Sequence, residues 1–126
     1  MNKYLDKNEW VDKVGYCRAL KKGNMIFISG TVSNDENGNP IAIGDATKQT
    51  DVILSKFVDI MEYFDSSIEN IVRTRIYVTN IDDWETIGTV HGKYFKDIKP
   101  TTSMVEVSKL ISPDYLVEIE AMAVVG

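Results

Sequence analysis

Hydrophobic and polar residues alternate along several stretches of the chain with the period of two that is typical of half-buried strands. The last stretch is the clearest, with four apolar residues that alternate with two acids and a methionine: Val117, Ile119, Ala121 and Ala123 against Glu118, Glu120 and Met122. Successive side chains of a strand point to opposite faces, so one face of this sheet is apolar and the other carries acids. The pattern predicts strands at 16–19, 24–32, 41–43, 71–79, 102–108 and 116–124.

Two further stretches have the spacing of amphipathic helices. Between residues 46 and 65, apolar residues recur every three or four positions, which predicts a helix of several turns. A second helix is predicted from about Asp82, where Asp82 and Glu85 have capping-box spacing and an apolar stripe includes Trp84 and His91. The order β-β-β-α-β-α-β-β predicts one two-layer α+β domain over residues 1–126, with both helices on one face of the sheet.

The face of the sheet that the two helices leave uncovered has an unusual predicted composition. Strict alternation places on it aromatic, arginine, methionine and acidic residues: Tyr16, Arg18, Phe27, Ser29, Arg73, Arg75, Tyr77, Thr102, Met104, Glu106, Glu118 and Glu120. Exposed aromatic, methionine and arginine side chains are enriched in protein interfaces. A closed homo-oligomer would bury this face and leave clefts between subunits, where arginines and glutamates would pair or hold a polar ligand.

Composition narrows the class of protein. At 126 residues and 44% hydrophobic content the chain suits one domain with its own core. A single cysteine excludes an internal disulfide, as in a reducing compartment, and no apolar run has the length of a membrane helix. The net charge of -5 argues against a nucleic-acid partner, and a single histidine argues against a metal site. We expect a cytoplasmic protein without cofactor or membrane contact.

Four segments, residues 15–16, 23–30, 72–78 and 117–124, together resemble the YjgF family, also called the Rid family of reactive-intermediate deaminases and once labelled L-PSP endoribonucleases. The resemblance implies a chorismate-mutase-like fold. It also implies a homotrimer in which three sheets form a central barrel, with a small-molecule ligand bound in each cleft between subunits.

The resemblance further implies which residues act. In family members with imine or enamine deaminase activity, a strand glutamate positions the hydrolytic water and an arginine grips the substrate carboxylate. Matched segment to segment, the glutamate falls on Glu118, the strand tyrosine on Tyr16 and the serine of a Ser-Gly pair on Ser29, with Gly30 allowing close approach of the ligand. The arginine falls on Thr102. A hydroxyl cannot replace a bidentate guanidinium, so we expect poor deamination of the usual 2-imino acids.

Other residues complete the predicted site. Met104 stands where many members have a small residue and would narrow the cleft, and Glu106 is a further candidate. We hypothesise that Arg18 or Arg75 takes over anion binding from a different wall of the cleft. For Glu118 an alternative is equally open, a salt bridge with an arginine across the subunit interface.

Three functions remain open at this point. The first is a hydrolytic deaminase of a non-standard imine or enamine, with Glu118 as the catalytic residue. The second is a non-catalytic trimer that binds a small metabolite. The third, an endoribonuclease, has the least support, because the chain is acidic and its one histidine, His91, fits a packed position on the second helix.

Overall fold

The computed structural model describes residues 2–126. Six strands and two α-helices follow one another along the chain: β1 (Asn2–Tyr4), β2 (Ala19–Lys22), β3 (Met25–Thr31), α1 (Ala46–Tyr63), β4 (Ile71–Val78), α2 (Trp84–Phe95), β5 (Thr101–Glu106) and β6 (Val117–Val124). The strands form one sheet in the order β1-β2-β3-β6-β4-β5, in which only β4 and β5 run parallel. Both helices pack on one face of it through a single core cluster. The predicted two-layer α+β fold is confirmed.

Helix α1 supplies much of that core. Asp45 caps its first turn by accepting a hydrogen bond from the backbone N–H of Lys48 at 3.0 Å. The predicted apolar spacing is confirmed, since Ile53, Phe57 and Ile60 are buried against the sheet. The helix ends at Tyr63, close to the predicted end.

Helix α2 begins later than predicted. A 3₁₀ turn, Ile81–Asp83, comes first, and the Asn80 side chain caps it by accepting from the N–H of Asp82 at 3.0 Å. The helix proper starts at Trp84, whose side chain is exposed rather than part of the buried stripe. No helix within residues 2–126 is long and apolar enough to cross a membrane.

Two of the first three predicted strands need correction. Residues 41–43 are not a strand, since Ala42 has φ 55° and only one isolated bridge, between Asn34 and Pro40, forms nearby. The strand predicted at 16–19 lies further along, as β2, and turns tightly into β3 at Gly23 with φ 61°. Instead, β1 adds a short edge strand beside β2 that alternation did not predict.

The predicted faces of β5 are reversed. β5 pairs with β4 so that Thr102 lies beside Thr74, and Met104 beside Ile76. Neighbouring residues of paired strands share a face, and Thr74 and Ile76 are buried under the helices. Thr102, Met104 and Glu106 therefore lie on the helix side of the sheet, not on the uncovered face.

A bulge corrects one position of β4. The pairing of β4 with β6 shifts register between Ile71 and Arg73. Ile71 is buried in the core, whereas Val72 is 44% exposed, although strict alternation with Arg73 and Arg75 predicts it on the apolar face. The extra residue of the bulge absorbs the change of face. Beyond it the prediction holds: Tyr77 lies beside Glu118 on the uncovered face.

Candidate functional site

An open groove of about 350 Å³ lies on the uncovered face of the sheet, where β3, β4 and β6 meet the segment that follows β5. We call it the Glu118 groove. Three of its lining residues come from the strand faces and three from the segment after β5, around a glycine of β3: Tyr77, Glu118 and Glu120, then Val107, Lys109 and Leu110, and Gly30.

The Glu118 carboxylate is half-buried and unpaired. It lies against the backbone of Gly30, where any Cβ atom would collide with Oε2. Within residues 2–126 it accepts no hydrogen bond and forms no salt bridge. Burial raises the pKa of Glu118, and the charge of Glu120 adds to this, while Arg18 opposes it. Both carboxylate oxygens are therefore free to contact a water molecule or ligand in the groove.

Glu120, the second acid of the groove, already has partners. The Tyr77 hydroxyl donates a short hydrogen bond to its carboxylate, and this bond raises the pKa of Tyr77 together with burial. Arg75 Nη1 lies 4.0 Å from Glu120 Oε2, with the arginine side chain 45% exposed. The paired strands explain this set, because Arg75 faces Glu120 directly in the register of β4 and β6.

Tyr16 and Arg18 belong to a different cluster, centred on Asp6, and both precede β2 rather than lie within it. The Tyr16 hydroxyl donates to Asp6 Oδ2 at 2.7 Å, and Arg18 Nη2 lies 2.8 Å from the same atom. Burial raises the pKa of Asp6, but the hydrogen bonds from Arg18 and Tyr16 outweigh it and hold that pKa below its usual value. Arg18 Nη1 also donates to the Gly30 carbonyl, so Arg18 supports the backbone beside Glu118 while its own charge is paired.

Three predicted site residues lie away from the groove, on the helix side of the sheet. Thr102 Oγ1 is hydrogen-bonded to Thr74 Oγ1 at 2.8 Å. Glu106 Oε1 accepts from the backbone N–H of Ile81 at 3.0 Å and so anchors the turn before α2. Met104 packs against the hydrophobic core. Within one chain, none of the three reaches Glu118's side of the sheet.

Two further polar residues have local partners. The Ser29 hydroxyl donates to the carbonyl of Cys17 at 2.8 Å, which joins β3 to the segment before β2. His91 Nε2 is hydrogen-bonded to Thr74 Oγ1 at 2.9 Å and its ring packs on Phe95. Burial lowers the pKa of His91. The prediction of a packed histidine is confirmed.

Lys109 is the charged groove residue that the sequence pattern did not reveal. It follows the end of β5 by three positions, in an irregular segment where alternation carries no information. Within residues 2–126 it forms no salt bridge. Among the residues that line the Glu118 groove, Lys109 is the one with a cationic side chain.

The fold and the groove define a class, α+β proteins that carry a groove with carboxylate side chains on the uncovered face of one sheet. Residues 7–125 match the family model described as endoribonuclease L-PSP. The chain therefore belongs to this family, which is the YjgF or Rid family.

Individual relatives agree with this assignment. The chain is 34% identical over 108 residues to a RutC family protein of Pyrococcus horikoshii, covering 86% of this chain and 85% of the relative. It is 31% identical over 108 residues to the 3-aminoacrylate deaminase RutC of Acinetobacter baylyi, with coverage of 86% and 85%.

Solved structures show the same fold. The Mycobacterium tuberculosis protein Rv2704, of the YjgF/YER057c/UK114 family, superposes with a TM-score of 0.88 at 37% identity, covering 98% of both chains. E. coli TdcF with bound serine superposes with a TM-score of 0.79 at 29% identity, covering 88% of both chains.

Proposed function

We propose that this protein hydrolyses the C–N bond of a small imine or enamine, with Glu118 orienting and activating the attacking water. The observation that carries the proposal is the unpaired, half-buried Glu118 carboxylate in the groove beside Gly30. A carboxylate whose pKa is raised by burial is a better proton acceptor than one in water, and it is positioned where ligand can approach.

The chemistry needs only the substrate, water and this carboxylate. The water oxygen forms a bond to the imine carbon as Glu118 accepts a proton from it. Glu118 then gives this proton to the nitrogen, which completes a carbinolamine. The hydroxyl proton of the carbinolamine next passes through Glu118 to the same nitrogen, the C–N bond breaks, and ammonia leaves a carbonyl product. An enamine enters the same sequence after protonation to its imine. The similarity to the RutC deaminase supports this reaction type.

We propose that Lys109 anchors the substrate's carboxylate. Of the two arginines that sequence reasoning suggested for this role, Arg18 is paired with Asp6 and Arg75 lies near Glu120. Lys109 has no such partner within residues 2–126 and lines the groove that holds Glu118. The RutC relative is named for 3-aminoacrylate and the TdcF structure holds bound serine, and both molecules carry a carboxylate that a cationic side chain could bind.

The same surface supports a proposed homotrimer. Phe27 and Val105 leave 38% and 46% of their surface exposed on the uncovered face, and Val124 is also exposed there. In the same region the Arg73 Nε atom is buried without a hydrogen-bond partner in the described residues. Apolar and arginine side chains of this kind are enriched at interfaces. Packing three such faces together would close the Glu118 groove with a neighbouring subunit.

An endoribonuclease receives less support from this groove. It holds two carboxylates and one ammonium group, so a phosphodiester backbone would meet net negative charge.

Imine hydrolysis by wild type and Glu118→Gln tests the proposal. The substrates are 3-aminoacrylate and a panel of imines generated from amino acids. We expect kcat/KM to fall by about 100-fold or more in Glu118→Gln, since general-base catalysis contributes at least that much. Glu62→Gln, an exposed glutamate on α1, is the matched control and should match wild type.

Two results would contradict the deaminase. One is equal rates for wild type and Glu118→Gln, and the other is a wild type no faster than buffer. If wild type is inactive but binds serine in calorimetry, and Lys109→Met abolishes that binding, the non-catalytic metabolite-binding alternative is correct.

A further inference from the structure

A second cavity, of about 290 Å³, lies between α1, the segment after β1 and the segment after β3. It shares no lining residue with the Glu118 groove. Lys56 of α1 lines this cavity together with Arg18 and Asp6. The Lys56 side chain is half-buried. A lysine in such a position has no part in the imine hydrolysis proposed above.

The Lys56 nitrogen is held by two oxygens. Nζ donates to the Val32 carbonyl at 2.9 Å and to Asn34 Oδ1 at 2.5 Å. With Cε, these fill three of the four tetrahedral positions around the nitrogen. Within the described residues the fourth position has no protein partner. In the neutral amine the two N–H groups are both satisfied and the lone pair occupies this free position.

The surroundings make the neutral amine easier to form than it is for an exposed lysine. Burial lowers the pKa of Lys56 from 10.5 to about 8, and the neighbouring Arg18 charge adds to the effect, against smaller opposing contributions from Asp6 and Asp35. At pH 7 the neutral fraction is then about 300-fold larger than for an ordinary lysine. Burial and an adjacent cation are the two means by which proteins activate lysine as a nucleophile.

The charges of the lining restrict what can react there. Four acidic side chains line the cavity: Asp6, Asp35, Glu36 and Asp59. Apart from Lys56, its basic side chains are two, Lys7 and Arg18. With Lys56 neutral, the lining is net negative. Anionic electrophiles are therefore disfavoured, and the volume suits a small molecule.

We propose that Lys56 is a nucleophilic amine that captures small uncharged aldehydes in this cavity as imines. The nitrogen lone pair forms a bond to the aldehyde carbon, and a proton passes from nitrogen to the oxygen to give a carbinolamine. Loss of the hydroxyl with the second nitrogen proton releases one water molecule and leaves a C=N bond. Two N–H groups and one carbonyl oxygen are thus converted into water, and no oxidant or reductant takes part.

Reductive trapping tests this on the intact wild-type protein. The protein is incubated at pH 7 with propanal and cyanoborohydride, which converts an imine into a stable propyl amine. Peptide mass mapping after cleavage at acidic residues then gives the rate of propyl addition at each lysine. Lys48, an exposed lysine on the same helix, is the matched internal comparison.

We expect Lys56 to be modified at least about 10-fold faster than Lys48, because the larger neutral fraction outweighs the weaker nucleophilicity of a less basic amine. Lys56→Arg should lose this fast modification while Lys48→Arg keeps it. In denaturant the two lysines should react alike. With glyoxylate, an anionic aldehyde, the ratio of the Lys56 rate to the Lys48 rate should be smaller than with propanal. Equal labelling of Lys56 and Lys48 by propanal in the folded protein, or a larger ratio with glyoxylate than with propanal, would overturn the proposal.

Discussion

Gln49 is a fully buried polar side chain that joins α1 to the segment leading into β6. Its Nε2 donates to the carbonyl of Asp114 at 2.8 Å and to that of Ala42 at 3.3 Å, and its Oε1 accepts from the N–H of Leu116 at 2.9 Å. The side chain is 0% exposed. Leu116 lies two positions before Glu118, so Gln49 fixes the chain where it enters the strand that carries the candidate catalytic acid.

We expect Gln49→Met to destabilise the protein by about 2–4 kcal/mol. Methionine has a similar volume but removes all three hydrogen bonds, and each buried backbone group left without a partner costs about 1–3 kcal/mol. Asp114 and Leu116 are only half-buried, so water reaches part of the freed groups and the total stays well below the sum of three full penalties.

Thr50→Val is the matched control, because Thr50 is the next residue and equally buried. Its hydroxyl donates only to the Ala46 carbonyl, one turn earlier in the same helix, at 2.8 Å. That carbonyl keeps its backbone hydrogen bond when the hydroxyl is lost. We therefore expect a cost below about 1 kcal/mol.

Urea unfolding of the three proteins at one fixed protein concentration gives the comparison, since any oligomerisation makes apparent stability depend on concentration. The reasoning fails if Gln49→Met and Thr50→Val cost the same, or if Gln49→Met costs less than about 1 kcal/mol.

Three further changes have definite expected outcomes. Gly30→Ala puts a Cβ against the Glu118 carboxylate and should lower kcat/KM for imine hydrolysis about 10- to 100-fold. Gly88→Ala in helix α2, whose Cβ meets nothing within 4 Å, should instead raise the free energy of unfolding in urea by about 0.5–1 kcal/mol. The pKa of Asp6 is lowered in the folded state, so the ionised carboxylate stabilises the folded protein above the unfolded pKa of 3.8, and this stabilisation is lost as pH falls below that value. The stability of Asp6→Asn should therefore depend less on pH below about 4 than that of wild type. An unchanged acid-unfolding profile would refute this. If the proposed trimer forms, Thr102→Arg should raise kcat/KM for an imine that carries a carboxylate, because within one chain residue 102 and Glu118 lie on opposite sides of the sheet, and an arginine at 102 could then reach only the groove of a second copy. No gain would count against the trimer.

The parts of the fold that pack one apolar face on the core were predictable from the sequence. Helix α1 and strand β6 each bury every residue of one periodic set, so their hydrophobic pattern determines both the element and its orientation. For the same reason, the placement of Glu118, Glu120 and Tyr77 on the uncovered face was correct. The central part of the candidate groove could therefore be found from alternation alone.

The remaining parts depend on long-range partners that alternation does not report. Strand β1 has only three residues and pairs through its backbone with β2, so it has no periodic pattern to recognise. Residues 41–43 look extended but have no neighbouring strand to pair with. Asp6 joins Tyr16 and Arg18 across about ten positions of sequence through side-chain hydrogen bonds, and no local pattern marks that pairing.

Strand β5 shows the consequence for function most directly. It lies at the sheet edge and most of its residues are exposed, so neither of its two alternating sets is clearly the apolar one, and its faces are decided by the parallel register with β4. That register puts Thr102 on the helix side, whereas Glu118 lies on the uncovered side of the same sheet. The family resemblance implies a deaminase site that combines these two positions. A single sheet separates them within one chain, so a site that uses both must be assembled from two copies of the protein.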